Sequence, residues 1–307
     1  MRAVVVRQRG VVELAEVPTP APGRGAVRIK VAAAAVNPVD LMVRDGVGGT
    51  PFAAEREQWG IGWDVAGTVD AVGAEVPEFV PGQAVIGISD RLDVSSAAQA
   101  DYVVLDAGNV APAPASVSAA AAATIPLNGL TAMQALAALD LRPGETLLVT
   151  GAAGAVGGFA VELAAAQGVR VIASAAVADE PTVRGLGATD FVPRAGSLPD
   201  AVREVVPGGV DAALDAAALG PAALAAVRGG GRFVSVSVPA TPIPLRGTTV
   251  TTVLVRADRR QLDDLVARVE AGRLTLRVAE TLPLSAVGTA QRRMATGGVR
   301  GRFVLVP

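Results

Sequence analysis

The run Gly151-Ala152-Ala153-Gly154-Ala155-Val156-Gly157-Gly158 carries the clearest chemistry in the chain. It joins an apolar run at 146–150 to an apolar-periodic run at 159–166. A strand, a glycine-rich turn and a helix in that order form a cradle for the pyrophosphate of a dinucleotide. Small residues let the backbone approach the phosphates, and the first helical turn offers amide hydrogens and partial positive charge to the anion. A small residue at Gly157 allows the helix to pack closely on the strand. Against the pattern Gly-x-Gly-x-x-Gly, Gly154 and Gly157 take the second and third places. Ala152 takes the first, which suits a turn needing no positive φ there. The rival is a βα turn of purely structural role; the strand before and helix after favour the phosphate site. On that reading Gly151, Ala153, Gly154, Ala155 and Val156 line the cofactor.

The ends of the following strands bear on which dinucleotide is held. In an NAD-binding fold an acid about 20 residues past the first glycine bonds the ribose hydroxyls. Here the second strand ends Val171-Ile172-Ala173-Ser174-Ala175-Ala176, without an acid. Asp179 and Glu180 follow and read as caps of the next helix. A carboxylate would repel a 2′-phosphate, so its absence favours NADPH. Ser174 is a candidate hydrogen-bond donor to that phosphate and Arg184 a candidate counter-charge. The alternatives are an ordinary strand-end serine and an arginine on a solvated helix face. Ala216, Ser237 and Val238 lie at the carboxyl ends of later strands, where ligands of such sheets bind. They are expected against ribose and nicotinamide, with Val238 on one nicotinamide face.

Two absences exclude whole classes of chemistry. The chain has no cysteine and no histidine. Disulfides, thiolate nucleophiles, Ser-His-Asp triads and the usual zinc ligands are all removed. A net charge of −2, with no basic stripe, gives no support for nucleic-acid binding. At 307 residues, 51% of them hydrophobic and 18% charged, the chain suits two domains with large cores. Lys30 is the only lysine, which a GC-rich coding sequence explains. The amino terminus does not resemble a signal peptide and no uncharged apolar run approaches a membrane span, so a cytosolic protein is expected.

The elements that must position these residues fall into three stretches. Residues 1–118 hold short valine-bearing runs at 3–6, 26–34, 65–72, 84–88 and 101–105, separated by glycine and proline, and read as a β-rich barrel or sandwich. From 119 to 254 strands alternate with helices. The strands are expected at 146–150, 170–174, 190–192, 210–214, 232–236 and 249–254, and the helices at 156–167, 180–186, 198–205 and 221–227. That alternation predicts a doubly wound parallel sheet. Residues 255–307 carry an amphipathic helix at 259–271 and two or three short strands, and are expected to return to the first domain. The fold class is therefore α/β. The last strand of the nucleotide domain reads as long, apolar and weakly charged. Such an edge is paired or covered, which predicts a homodimer through it, with a covering loop as the rival.

Several segments together resemble the medium-chain dehydrogenase/reductase superfamily, and within it the zinc-independent NADPH:quinone oxidoreductases. These are Val36-Asn37-Pro38-Val39-Asp40 with Arg44-Asp45-Gly46, Gly62-Trp63-Asp64-Val65-Ala66-Gly67 with Val72-Gly73, and Leu130-Thr131-Ala132. The phosphate turn, Leu186-Gly187-Ala188 and Gly301-Arg302-Phe303-Val304-Leu305 complete the set. The resemblance covers essentially the whole chain. It implies a GroES-like barrel (1–118 and 255–307), a Rossmann domain (119–254), NADPH as cofactor, and reduction of a quinone or an enone.

The resemblance also implies residue roles. Asn37 lies near the nicotinamide, offering its amide to the cofactor or the acceptor oxygen; the alternative is a turn-forming asparagine before Pro38. Asp40 reads as a cap or hydrogen-bond anchor. Asn128 and Thr131 sit at the start of a helix expected to reach the cofactor, where Thr131 bonds a phosphate or the nicotinamide side, or caps its helix. Arg302 approaches the phosphates or anchors the tail. Enone-reducing relatives place a tyrosine after Asn-Pro-x-Asp; here the nearest aromatic is Phe52, and Tyr102 sits in a barrel strand with a core role. Phe52 and Trp59 are candidates for a flat apolar wall. Three functions stay open: quinone reductase, enone or enoyl reductase, and a non-catalytic NADPH-binding protein.

Overall fold

The computed structural model describes residues 1–46, 57–91 and 94–307. The chain divides into two units: Met1–Leu127 with Arg256–Gly272 and Leu276–Pro307, and Asn128–Val255 with Arg273–Thr275.

In the first unit, alternation writes the sheet. Along β3 (Ala26–Ala35), Val27, Ile29 and Val31 turn into the core while Arg28 and Lys30 turn out, the period-two pattern of a half-buried strand. β3 pairs antiparallel with β5 (Asp64–Val72), which pairs with β6 (Ala84–Ile88), and that with β8 (Val110–Pro112). β7 (Tyr102–Asp106) also pairs with β3. The returning segment supplies β15 (Val278–Pro283) and β16 (Arg302–Val306), and β16 joins β3, so the order is β15-β16-β3-β5-β6-β8. Val27, Ile29, Val65, Phe79, Val85 and Leu105 fill this core. A smaller sheet, β2-β1-β4, is made by β1 (Arg2–Gln8), β2 (Val11–Glu16) and β4 (Trp59–Gly60). Helices α1 (Pro38–Asp45) and α9 (Val287–Ala295) pack with β1 and β16 around Val4, Val36, Phe303 and Leu305.

In the second unit, Leu147, Leu148 and Val149 of β9 (Thr146–Thr150) are all fully buried, as in a strand covered on both faces. With β10 (Arg170–Ala175), β11 (Asp190–Pro193), β12 (Val210–Asp215), β13 (Val227–Ser235) and β14 (Thr249–Thr252) it forms a sheet of order β11-β10-β9-β12-β13-β14. Every pairing is parallel. This is the doubly wound order, reversing at β9 and β12. The helices are α3 (Pro126–Leu139), which begins at the end of the first unit, α4 (Ala155–Ala166), α5 (Glu180–Gly185), α6 (Leu198–Val205) and α7 (Pro221–Ala225).

Four expectations are corrected. β13 begins at Val227, because the glycines at 229–231 extend the strand instead of ending it. β14 stops at Thr252 and is short and threonine-bearing, with Leu254 beyond it 70% exposed; the long apolar edge is not formed. β2, α1 and α9 were not expected as elements. Finally, the helical stretch Ala119–Leu139 has the length and mean hydropathy, 1.2, of a membrane span, but 78% of its window is buried inside the protein, as in a core helix.

Candidate functional site

The switch point of the nucleotide unit is organised by one buried carboxylate. Asp215 ends β12, is fully buried, and accepts from the Thr150 hydroxyl at 2.6 Å. It also accepts from the backbone amides of Ala217 (3.3 Å), Leu219 (3.1 Å) and Gly220 (2.7 Å). The Ala217 amide reaches Thr150 Oγ1 as well, at 3.1 Å. The loop after β12 is thereby tied to the end of β9, where the phosphate turn begins. Within that turn the positive φ, 60°, falls on Gly151 and not on Ala152. A Cβ on Gly151 would lie 3.2 Å from the Ala216 carbonyl oxygen and 3.3 Å from Ala217 Cβ. A Cβ on Gly157 would overlap the Gly151 carbonyl, so α4 sits as close to its strand as backbone permits. On the other side, the Ala152 amide donates to the Ser174 carbonyl at 3.1 Å.

Gly154 is the N-cap of α4, and a glycine supplies no side-chain acceptor to the first-turn amides. No acidic residue occupies that turn. Backbone donors, helix dipole and small buried side chains at Ala152, Ala153 and Ala155 make a place suited to a pyrophosphate.

The other candidates of this unit are placed as follows. Thr131 is buried in α3. Ala216 lies against Gly151. Ser237 and Val238 follow β13, with the Ser237 carbonyl accepting from the Ser235 and Thr241 hydroxyls and Val238 exposed. Ser174 is 2% exposed, so its hydroxyl is enclosed in the sheet. Arg184 does not face back: Nε holds Glu180 at 2.8 Å and Nη1 donates to the Thr189 carbonyl at 3.0 Å. The backbone of a different basic residue is tied to the strand end. The amide of Arg194, an exposed residue, donates to the Ala175 carbonyl at 2.8 Å.

The barrel unit holds a buried polar cluster. Asn37, N-cap of α1, donates from Nδ2 to Asp64 Oδ2 at 2.6 Å and accepts at Oδ1 from Arg302 Nε at 3.0 Å. Its backbone amide donates to Asp40 Oδ2 at 2.8 Å, the capping contact expected of Asp40. Gln99 Nε2 donates to the same oxygen at 3.0 Å and to the Ala35 carbonyl at 3.4 Å. Asp64 Oδ1 accepts from the Leu127 amide at 2.6 Å. Asn37, Asp40, Asp64 and Gln99 are all fully buried. Burial raises both carboxyls to about 7 against the pull of their hydrogen bonds, and burial lowers the Arg302 guanidinium to about 10 against the two aspartates. Arg302 therefore acts here as an anchor on Asn37. Phe52 lies outside the described residues. Trp59 is buried in β4, and Tyr102 lies on β7 with the Arg28 guanidinium 5.6 Å from its ring centroid.

Asp215, Gln99 and Arg194 were not singled out from sequence, and Asp64 was quoted only as part of a glycine turn. For Asp215 a signal existed: a lone acid between Leu214 and Ala216 at the end of an apolar strand.

A family described as the alcohol dehydrogenase GroES-like domain matches residues 23–115, and one described as zinc-binding dehydrogenase matches 186–305. A solved structure described as an NAD-dependent alcohol dehydrogenase is 32% identical, with TM-score 0.88, and all of both chains is covered. A quinone oxidoreductase from Coxiella burnetii is 27% identical, with TM-score 0.89, covering 100% of this chain and 99% of that one. The trans-enoyl reductase himH of Aspergillus japonicus is 38% identical over 191 residues, 58% of this chain and 55% of that protein. The chain thus spans about half the length of such curated relatives.

Barrel, parallel sheet and glycine turn together define a member of the medium-chain dehydrogenase/reductase superfamily. Within that superfamily the chain is similar to quinone oxidoreductases. The zinc named in the second family's description has no donor set here. The chain has neither cysteine nor histidine, and among the described residues no three carboxylates gather.

Proposed function

We propose that the protein is an NADPH-dependent oxidoreductase delivering hydride to a quinone-type acceptor. The observation that carries this reading is the glycine turn that follows the Thr150–Asp215 contact at the end of β9 and leads into a glycine-capped helix. The reduced nicotinamide supplies the hydride when bound; the chain's residues bind, orient and exclude water. Amides of the α4 first turn take the pyrophosphate. Thr131, Ala216, Ser237 and Val238 line ribose and nicotinamide. Asn37, which the resemblance implies for the nicotinamide, is held in the barrel unit by Asp64 and Arg302.

Preference for the 2′-phosphate is supported by the acid-free end of β10 and by Arg194 beside it. The relative described as NAD-dependent makes this the first point to test. A quinone needs no strong acid opposite the hydride, because the hydroquinonate takes its proton from water. Likeness to a trans-enoyl reductase supports a second reading, enone reduction, which requires a proton at the α-carbon. Fluorescence titration with NADPH and NADH, followed by turnover with a simple quinone and a simple enone, tests both. Binding without turnover of either acceptor leaves a non-catalytic NADPH-binding protein; no binding of either nucleotide overturns the reading.

The assembly is part of the same proposal. β14 is an edge strand, and Ile243, Leu245 and Leu254 near it are 80%, 55% and 70% exposed. A second copy pairing along this edge would cover them, giving a homodimer. Residence in the cytosol completes the reading.

A further inference from the structure

The Asp40 carboxyl is lopsided. Oδ2 accepts two donors, the Asn37 amide and Gln99 Nε2, while Oδ1 is buried with no hydrogen-bond partner among the described residues. Gln99 shows the complementary defect: Nε2 has two acceptors, and Oε1 is buried with none. Turning the Gln99 amide over would aim its oxygen at the Ala35 carbonyl and at Asp40, so its orientation is fixed. Two oxygens thus stand bare on two groups already joined by one hydrogen bond. Buried bare acceptors are costly, and a single proton on Asp40 Oδ1 removes both.

Charge counting leads to the same place. Asp64 accepts a 2.6 Å donor on each oxygen, as an ionised carboxylate does. With Asp64 negative and Arg302 positive the cluster is neutral; a second carboxylate would leave an uncompensated charge in the interior.

We propose that Asp40 is a neutral acid that donates from Oδ1 to Gln99 Oε1, closing an acid–amide ring, and that through this ring it positions Asn37. The charged groups acting on Asp40 are Asp64, which disfavours its ionisation, and Arg302, which favours it; Arg277 acts in turn on Arg302. Protonated Asp40 does not compete with Asp64 and Asn37 for Arg302, so the Asn37 amide keeps its contacts with Asp64 and Arg302. Ionised Asp40 competes for the guanidinium and loosens Asn37. The functional half of this inference rests on the oxidoreductase reading; the protonation half does not.

The test is a carbon-13 titration of aspartate carboxyls in the full chain, assigned with D40N and D64N. The Asp40 midpoint is expected roughly 2 units or more above the ordinary value of about 3.9. It should fall in D64N, where the repelling charge is gone. A midpoint at or below the ordinary value overturns the proposal, whatever the enzyme does. If D40N does not fold, the wild-type and D64N spectra still decide. For positioning, D40A should lower kcat/KM for NADPH-driven acceptor reduction about tenfold or more. D40N, which can both accept from Asn37 and donate to Gln99, should recover most of that loss and remove the alkaline limb of the pH profile. An equal loss in D40N and D40A, or an unchanged pH limb, refutes the positioning role. Absence of turnover in the wild type would instead count against the oxidoreductase reading and leave the titration to judge the ring.

Discussion

The Thr150 hydroxyl and the Asp215 carboxylate meet at 2.6 Å, joining the carboxyl ends of two neighbouring parallel strands where the winding of the sheet reverses. Asp215 also gathers the amides of the loop that follows it, so that loop and the end of β9, where the phosphate turn begins, share one acceptor. Removing it should act on both. D215A leaves these amides without their acceptor, at about 1–3 kcal/mol for each that stays buried. Urea unfolding should show a lower midpoint, and NADPH affinity should fall with it. T150V, losing the bond to Asp215 and the one from the Ala217 amide at about 1 kcal/mol each, should do the same more weakly. An affinity untouched by D215A would show that the clamp does not shape the cofactor site.

At Gly157 the close approach of α4 to the Gly151 carbonyl forbids a side chain. G157A should reduce dinucleotide affinity about tenfold or more, the equivalent of roughly 1.4 kcal/mol. Gly185, at the end of α5, has open space around its Cβ position and no positive φ, and serves as the control. G185A should leave binding unchanged and hold or slightly raise Tm. Isothermal titration of both variants separates a phosphate-turn defect from a general loss.

Arg194 rather than Arg184 is expected to discriminate the two nicotinamide dinucleotides. R194Q should raise Kd for NADPH about tenfold, as the loss of one charge-assisted contact to a phosphate would, and leave NADH nearly unchanged. R184Q, which breaks only the Glu180 pair and the Thr189 contact, should leave the NADPH-to-NADH ratio where it was. The reverse pattern would restore Arg184 to the site.

The buried carboxyls give stability a definite pH dependence. Asp40 and Asp64 are raised to about 7, chiefly by burial, against about 3.9 in an unfolded chain. The pair holds one proton, on Asp40, so from pH 4 to 7 the folded state retains a proton that the unfolded state has released. Its contribution is therefore full below pH 4, declines as pH rises, and is lost above about 7. Chemical denaturation between pH 5 and 8 should show a falling contribution across that window, flattened in D40N or D64N. A slope of opposite sign that disappears in those variants would contradict the assigned direction.

Sedimentation velocity tests the second copy. I243E and L254E place charge on exposed positions beside β14 and should yield monomers of unaltered Tm. If the wild type sediments as a monomer, these apolar residues have another cover.

Legibility in the sequence followed the range of the interactions involved. β6, β9 and α6 are found where the residues predict them, because each is an apolar or periodic run bounded by glycine or proline. α1 escaped notice: only Asp40 and Val43 of its eight residues are buried, too few for a visible stripe. β2 is half-exposed and owes its existence to β1. The phosphate turn was readable because its requirements are local. The hydrogen bonds from Gln99 to Asp40 and from Arg302 to Asn37 span 59 and 265 positions, and no spacing rule reaches that far. Val253 and Leu254 look like strand residues, yet the register with β13 ends at Thr252: the Val253 amide makes a last bond to the Ser235 carbonyl at 2.9 Å and Leu254 is exposed.

The wide separation of Asn37 from Arg302 has a consequence for biosynthesis. During translation the nucleotide unit, built from successive strand-helix pairs, is complete long before residue 302 leaves the ribosome. Asn37 and Asp64 emerge early and must wait for their guanidinium until β16 is made. The polar heart of the barrel is thus completed only after the nucleotide unit has emerged, and a nascent chain halted before that strand would carry two acidic groups without their cation.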